Sequence, residues 1–327
     1  MMRNAVRLAC LVSVAAVSFV EAQPAARDPL LLVVNREPQV LSIFKVNGPS
    51  LALVKKIPIG KGGREITLMP DGKRAYISNI ADNSITLVDL EALSVVTTIT
   101  DAAIASPDGG IVSADGKKVY ITSPGNDSVV VISPVTHKVL KSISTKGTAA
   151  RRLIISPDGK TMYVGHNKSS HLSVIDLATE QVVSTIQVGN ECRGGFAFTN
   201  DGKLLLNAAV EDDVMYHIDA ATGKVLRSVG TAFSPQRIMV TAKGLTLVLC
   251  GGNGKVLEII KDLQLHDSIR TVPVGTAAWC LTTNPEGTIA YVSNYADGTI
   301  TVIDVDGARV LATVQVGKDP NGIAYRK

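Results

Sequence analysis

Beyond about residue 27 the chain runs as short apolar stretches separated by polar breaks rich in Gly, Asn and Asp. The stretches are rich in Val, Ile and Thr and lack the 3.6-residue spacing of an amphipathic helix, so they predict strands. A turn signal recurs through them at Asp71-Gly72, Asp115-Gly116, Asp158-Gly159, Asp201-Gly202, Lys243-Gly244 and Glu286-Gly287, at intervals of 44, 43, 43, 42 and 43 residues. Each glycine follows a polar residue and precedes an apolar run, as a hairpin turn with one positive φ demands. A second marker keeps the same period, eighteen residues on, at Asp89, Ser133, Asp176, Asp219, Lys261 and Asp304. Within one unit the pattern predicts strands over Glu65 to Leu68, Arg74 to Ser78, Ser84 to Val88 and Val95 to Ile99. Four short strands in about 43 residues is the signature of a propeller blade. Stacked blades cover both faces of their middle strands, which is why "YISN" and "ITLVD" do not alternate strictly.

The chain ends set the blade count. Leu31-Leu32-Val33-Val34-Asn35 aligns with Ala75-Tyr76-Ile77-Ser78-Asn79, so the first blade begins at its second strand. The C-terminal stretch from Gly317 to Tyr325 aligns with Gly60 to Leu68, the approach to an innermost strand. The sequence therefore predicts an all-β, seven-bladed propeller with four-stranded antiparallel blades, its ring closed by the C-terminal strand joining the N-terminal blade. Closure of this kind removes exposed sheet edges.

Residues 1–22 read as a signal peptide, with Arg3 and Arg7 ahead of an apolar run from Leu8 to Val20 and a small-x-small site ending at Ala22. The run is shorter than the ~20 residues a spanning helix needs, so an anchor is not expected. A short linker, 23–27, then leads into a single propeller domain, 28–327, expected in the periplasm or secreted. Three cysteines follow the leader, Cys192, Cys250 and Cys280, which allows one disulfide and a free thiol or three buried thiols. The chain is 46% hydrophobic and only 19% charged, with a net charge of +4 and no Lys/Arg run interleaved with aromatics. That composition gives no support for nucleic-acid binding.

The units resemble the YVTN-type propeller repeat in "MPDGKRAYISN…NSITLVDL" at 69 to 90, "SPDGKTMYVGH…LSVIDLATEQVVSTIQVG" at 156 to 189 and "NPEGTIAYVSNYADGTITVIDVDGARVLATVQVGKDPNGIA" at 284 to 324. Blade 6 departs furthest, with Lys243-Gly244, Gly251-Gly252 and Ile259-Ile260-Lys261 at the repeat positions. The resemblance implies a propeller of the kind found among surface-layer and periplasmic proteins, lactonase-like chains and subunits that accompany quinone or haem enzymes. It explains the repeat residues structurally, so function belongs to what differs between blades.

The residue seven before the first member of each turn pair differs in this way: Arg64, Asp108, Arg151, Gly194, Gln236 and Trp279, with Asn321 in the closing blade. Glu65, Arg152, Arg193 and Arg237 lie beside them. Arg64, Arg151, Arg193, Gln236, Arg237, Trp279 and Asn321 are expected to form a ligand site at the channel mouth, since guanidinium matches planar anions and Trp279 offers a flat ring. The competing expectation is that the arginines are solvated or pair with Asp108 and Glu191. A second cluster, His166 and His171 with Glu191 and Glu211 of the Glu211-Asp212-Asp213 run, is the candidate for acid/base catalysis (His166, His171, Glu191) or for a divalent metal. No cofactor is expected. The sequence leads to a monomeric binding or scaffolding protein for a protein partner or small anionic ligand. The alternatives are a lactonase- or lyase-like enzyme with a metal or His/Glu pair at the channel mouth, and an accessory subunit of a periplasmic redox complex.

Overall fold

The computed structural model describes residues 28–192, 194–252, 255–264 and 269–327. The leader and linker read in 1–27 lie outside the described residues. Within them the apolar runs form seven four-stranded antiparallel sheets arranged as blades. Blade 2 shows the pattern, with strands Gly63–Leu68, Arg74–Asn79, Ser84–Asp89 and Ser94–Thr100 running from innermost to outermost. The other innermost segments begin near Gly110, Ala150, Phe196, Pro235 and Ala278 for blades 3 to 7. Blade 6, irregular in sequence, still forms four strands.

Blade 1 is composite, as the aligned ends predict. The C-terminal strand Pro320–Arg326 pairs with Leu30–Asn35, with Leu30 opposite Arg326, Leu32 opposite Ala324 and Val33 opposite Ile323. The first and last strands of the described residues are thus held in one sheet. The turn glycines Gly72, Gly116, Gly159, Gly202, Gly244 and Gly287 all take positive φ, from 65 to 80°. The second marker is structural too: Asp89 Oδ1 accepts the backbone N–H groups of Glu91 and Ala92, and Ser133 and Asp176 serve the same turn in blades 3 and 4.

An apolar cluster fills the space between each adjacent pair of blades. Leu31, Val33 and Phe44 of blade 1 meet Tyr291, Ile300 and Val302 of blade 7, so the closing interface is packed like the rest. Each such fully buried aliphatic or aromatic side chain contributes roughly 1.5–3 kcal/mol relative to exposure. Ring closure therefore rests on a core as well as on strand hydrogen bonds. Cys192, Cys250 and Cys280 are buried free thiols in three separate interfaces, which settles the cysteine alternatives in favour of packing. Among the described residues no helix is long and apolar enough to cross a membrane.

Candidate functional site

The ring of variable residues is built by a repeated backbone device. A residue in the left-handed region stands two positions before the channel residue in six blades: Gly62, Ser106, Ala149, Ser234, Ala277 and Asp319, with φ from 50 to 68°. In blade 5 the left-handed residue is Glu191, three before Gly194. Outside glycine such a conformation costs about 1–2 kcal/mol. It persists only where its surroundings hold it.

The neighbouring blades supply that hold. Asn83 Oδ1 accepts the Ser106 N–H at 2.7 Å, Asp127 Oδ1 the Ala149 N–H at 2.6 Å, and Asp213 Oδ1 the Ser234 N–H at 2.7 Å, each from the preceding blade's loop between strands two and three. Asp82, Asp212 and Asp297 clasp the amides of Lys61, Asn190 and Thr276 within their own blades. One layer down, Ser78, Thr122 and Ser293 hydroxyls donate to the carbonyls of Asp108, Arg151 and Asn321 on the next blade. The channel residues are thereby fixed relative to one another around the ring.

Two carboxylates and four arginines then meet in the channel. Arg152 is 7% exposed and spans it, donating from Nη1 to Asp108 Oδ1 at 2.7 Å and from Nη2 to Glu65 Oε1 at 2.8 Å. Arg237, from the far side of the ring, donates to the same Glu65 oxygen and to the Gln236 carbonyl. Asp108, 2% exposed, also faces Arg151 Nε at 3.1 Å and Arg64 Nε at 3.5 Å. Gly109 makes room for the crossing: a Cβ there would stand 2.7 Å from the Arg151 carbonyl and 3.4 Å from Arg152 Nη1.

The charges are unequally compensated. Burial alone would push the Asp108 carboxyl up, but Arg152 and Arg64 outweigh it and hold it below the usual carboxylate value. Arg152 gains more from Asp108 and Glu65 than it loses by burial, so its guanidinium binds its proton more tightly than usual. Burial depresses the Arg64 value, with Asp108 only partly opposing it and Arg152 and Arg237 adding to the depression. Arg64 makes no side-chain hydrogen bond to a carboxylate, only the longer ion pair. Its guanidinium carbon lies instead 4.5 Å from the centre of the Trp279 ring, and that of Arg151 lies 5.4 Å from the same centre.

Of the seven residues expected to bind a ligand, the structure brings Arg64, Arg151 and Trp279 into direct contact range. It places Gln236 (8% exposed) and Asn321 (1% exposed) at the corresponding positions of blades 6 and 1. Arg237 sits one layer deeper, on Glu65. Arg193 lies outside the described residues. The competing pairing is present for Asp108, which joins Arg64, Arg151 and Arg152.

The second cluster is not assembled as expected. His166 is fully buried, occupies the repeat position filled by Asn79 and Asn294, and bonds Ser173 Oγ through Nε2 at 2.9 Å. Burial, then the neighbouring His171 ring 5.7 Å away, push its pKa down to about 4. It is a core histidine and not a rim ligand. His171 Nε2 meets the Lys146 carbonyl, Glu211 is exposed, and Asp212 and Asp213 are engaged as backbone clamps. Among the described residues no group of three or more His, Cys, Asp or Glu side chains is placed to hold a metal ion.

The backbone clamps were missed in the sequence. Their signal is the polar residue just before each third strand, Asn83, Asp127 and Asp213, which keeps the period of the turns.

Residues 43–188 match the family model "Lactonase, 7-bladed beta-propeller". No curated protein matches the chain. Among solved structures, hydrazine synthase of Kuenenia stuttgartiensis is similar at 22% identity and a TM-score of 0.70, covering 80% of this chain and 88% of that one. The periplasmic gluconolactonase PpgL of Pseudomonas aeruginosa is similar at 15% identity and 0.75, covering 91% and 99%. The dihydro-heme d1 dehydrogenase NirN, in complex with DHE, is similar at 17% and 0.68, covering 90% and 74%. At these identities the likeness establishes the shared propeller fold.

Proposed function

We propose that this chain is an exported propeller that binds a small anionic ligand at the channel mouth, with Arg64 and Arg151 as the primary contacts and Trp279 as the wall against which the ligand lies. The observation that carries the reading is the imbalance in the channel, where, among the described residues, Arg64, Arg151, Arg152 and Arg237 share the carboxylates of Glu65 and Asp108. Arg152 and Arg237 are engaged by the carboxylates, which leaves Arg64 and Arg151 with one shared carboxylate oxygen, of Asp108, between them, while Arg151 also donates from Nη1 to Asn167 Oδ1 at 3.2 Å. Guanidiniums held by buried partners and poorly compensated are suited to carboxylate or phosphate, which they meet through paired N–H donors. Export rests on the leader read in residues 1–22.

Calorimetric titration with small carboxylates and phosphate tests the reading. Binding should weaken with added salt. It should fall at least tenfold in Arg64→Ala and in Arg151→Ala, and wild-type affinity in both variants would remove the arginine site from consideration.

A second reading, hydrolysis of a lactone at the same mouth, is favoured by the family match over residues 43–188. Attack on a lactone carbonyl develops an oxyanion, and donors fixed before reaction stabilise such charge. Arg64 and Arg151 would supply those donors. Acid release from aldonolactones, abolished in Arg64→Ala, would support it; no release above background would rule it out.

A further inference from the structure

The charge balance of the channel specifies the ligand more closely than "anionic". We infer that the mouth selects a dianion over a monoanion, an inference that rests on the anion-binding reading above. Among the described residues, the channel cluster holds four guanidiniums and two carboxylates, an excess of two positive charges. The acidic residues of the mouth loops keep their own charge but are held on backbone amides instead of on these arginines. Asp127 and Asp213 of the mouth loops direct their oxygens to the backbone amides of Ala149 and Ser234, and Asp82, Asp212 and Asp297 do the same for Lys61, Asn190 and Thr276.

The excess is localised. Arg152 has both ends of its guanidinium on carboxylates, and Arg237 rests on Glu65 and the Gln236 carbonyl. The two remaining cations, Arg64 and Arg151, approach the same Asp108 oxygen, at 3.5 and 3.1 Å, so they stand close enough to act on one ligand. Next to them around the ring, on blades 7 and 1, two further groups lack a hydrogen-bond partner: the buried Trp279 Nε1–H and the Asn321 Oδ1 of a side chain only 1% exposed. Arg64 itself is 9% exposed and its Nε has no hydrogen-bond partner. Unpartnered polar groups are rare in a buried setting unless something occupies them, and the Trp279 and Arg64 N–H groups are donors that an anion would fill.

A single negative charge would leave half of the excess uncompensated, whereas two would neutralise Arg64 and Arg151 together. The shared chemistry fits a dicarboxylate or a phosphate or sulfate dianion. Arg152 is a positioning residue in this scheme. It ties Asp108 Oδ1 to Glu65 Oε1 and fixes the two carboxylates relative to each other.

Trp279 is the sole tryptophan of the chain and lies under both cations, so its emission reports their displacement. We would titrate the full chain at constant ionic strength with succinate, sulfate, hydrogen phosphate, acetate and chloride, following Trp279 fluorescence. The dianions should bind at least tenfold more tightly than acetate or chloride. Succinate against sulfate and phosphate distinguishes a dicarboxylate site from a tetrahedral-anion site. Arg64→Gln and Arg151→Gln each reduce the excess to one, so dianion binding should fall further than acetate binding and the preference for dianions should collapse to within about threefold. Arg64→Lys, which keeps the charge, should retain the preference. Acetate binding as tightly as succinate and sulfate in the wild type would overturn the dianion inference and leave the anion reading standing. No response to any anion, with Arg64→Lys and wild type melting alike, would overturn both.

Discussion

Asp108→Asn tests whether the channel network is an electrostatic buttress. The substitution keeps the side chain's size and removes one charge from a residue only 2% exposed, in ion pairs with Arg152 at 2.7 Å, Arg151 at 3.1 Å and Arg64 at 3.5 Å. Removing one partner from a buried charge network costs about 3–5 kcal/mol, because the remaining charges stay buried without compensation. Unfolding entropy of about 2.1 cal/mol/K per residue, over roughly 300 residues, converts that loss into a fall of about 5–8 °C in Tm. Differential scanning calorimetry at pH 7 and low salt measures it. Millimolar sulfate should recover more of the loss than chloride at equal ionic strength, since a dianion replaces the missing carboxylate. The pH dependence gives a second arm. The Asp108 carboxyl is held below the usual carboxylate value, so its contribution is complete above about pH 4 and is lost as the pH falls through the lower folded value. The two proteins should therefore converge in Tm as the pH is lowered below the usual carboxylate range. A variant that melts within 1 °C or so of wild type at pH 7, with no added response to sulfate, would refute the idea that Asp108 carries the network.

Three further outcomes are expected. His166→Asn should resist mild acid better than wild type: the folded His166 value of about 4 lies below the unfolded 6.5, so up to roughly 3 kcal/mol of stability is lost as pH falls from 6.5 toward 4, and the variant should not show that loss in chemical unfolding curves. Asp127→Ala removes the acceptor that holds Ala149 at φ 58° and should cost about 1–3 kcal/mol in denaturant titrations and weaken anion binding through displacement of Arg151. Deleting 320–327 removes the innermost strand of blade 1 and exposes Leu31 and Val33, so thermal unfolding should broaden and limited proteolysis should cut the N-terminal blade first; an unchanged transition would contradict closure by the C-terminus.

The fold was legible because a propeller repeats its constraints. Gly72 and its five counterparts each need the same positive φ, and Asp89, Asp176 and Asp304 each cap the same turn, so a period read from two markers fixes every strand between them. The composite blade was legible for the same reason, since the residue pattern around Leu31 and around Ile323 fits one unit cut open. His166 misled because its chemistry differs from that of Asn79 while its place does not: in both, a polar side chain at the end of the second strand reaches a hydroxyl of the third, Ser173 for one and Thr86 for the other. A rare residue type at a repeat position is first of all a variant of the repeat.

The channel was legible only halfway, and the reason is geometric. The period states which residues share a layer, and so it names Arg64, Asp108, Arg151 and Trp279 together. It does not state which of them pair, because the partners lie across the ring and not along the chain: Glu65 of blade 2 accepts from Arg152 of blade 4 and Arg237 of blade 6, over sequence separations of 87 and 172 residues. Under the anion-binding proposal, pairing decides the function. Had Asp108 and Glu65 been shared evenly among four arginines, each cation would be partly compensated and the ring would be a structural belt. Arg152 instead takes a bond from each carboxylate, at 2.7 and 2.8 Å, and leaves Arg64 with a 3.5 Å contact and a tryptophan ring. An unequal division of two charges among four turns a load-carrying network into one that still has two charges to offer.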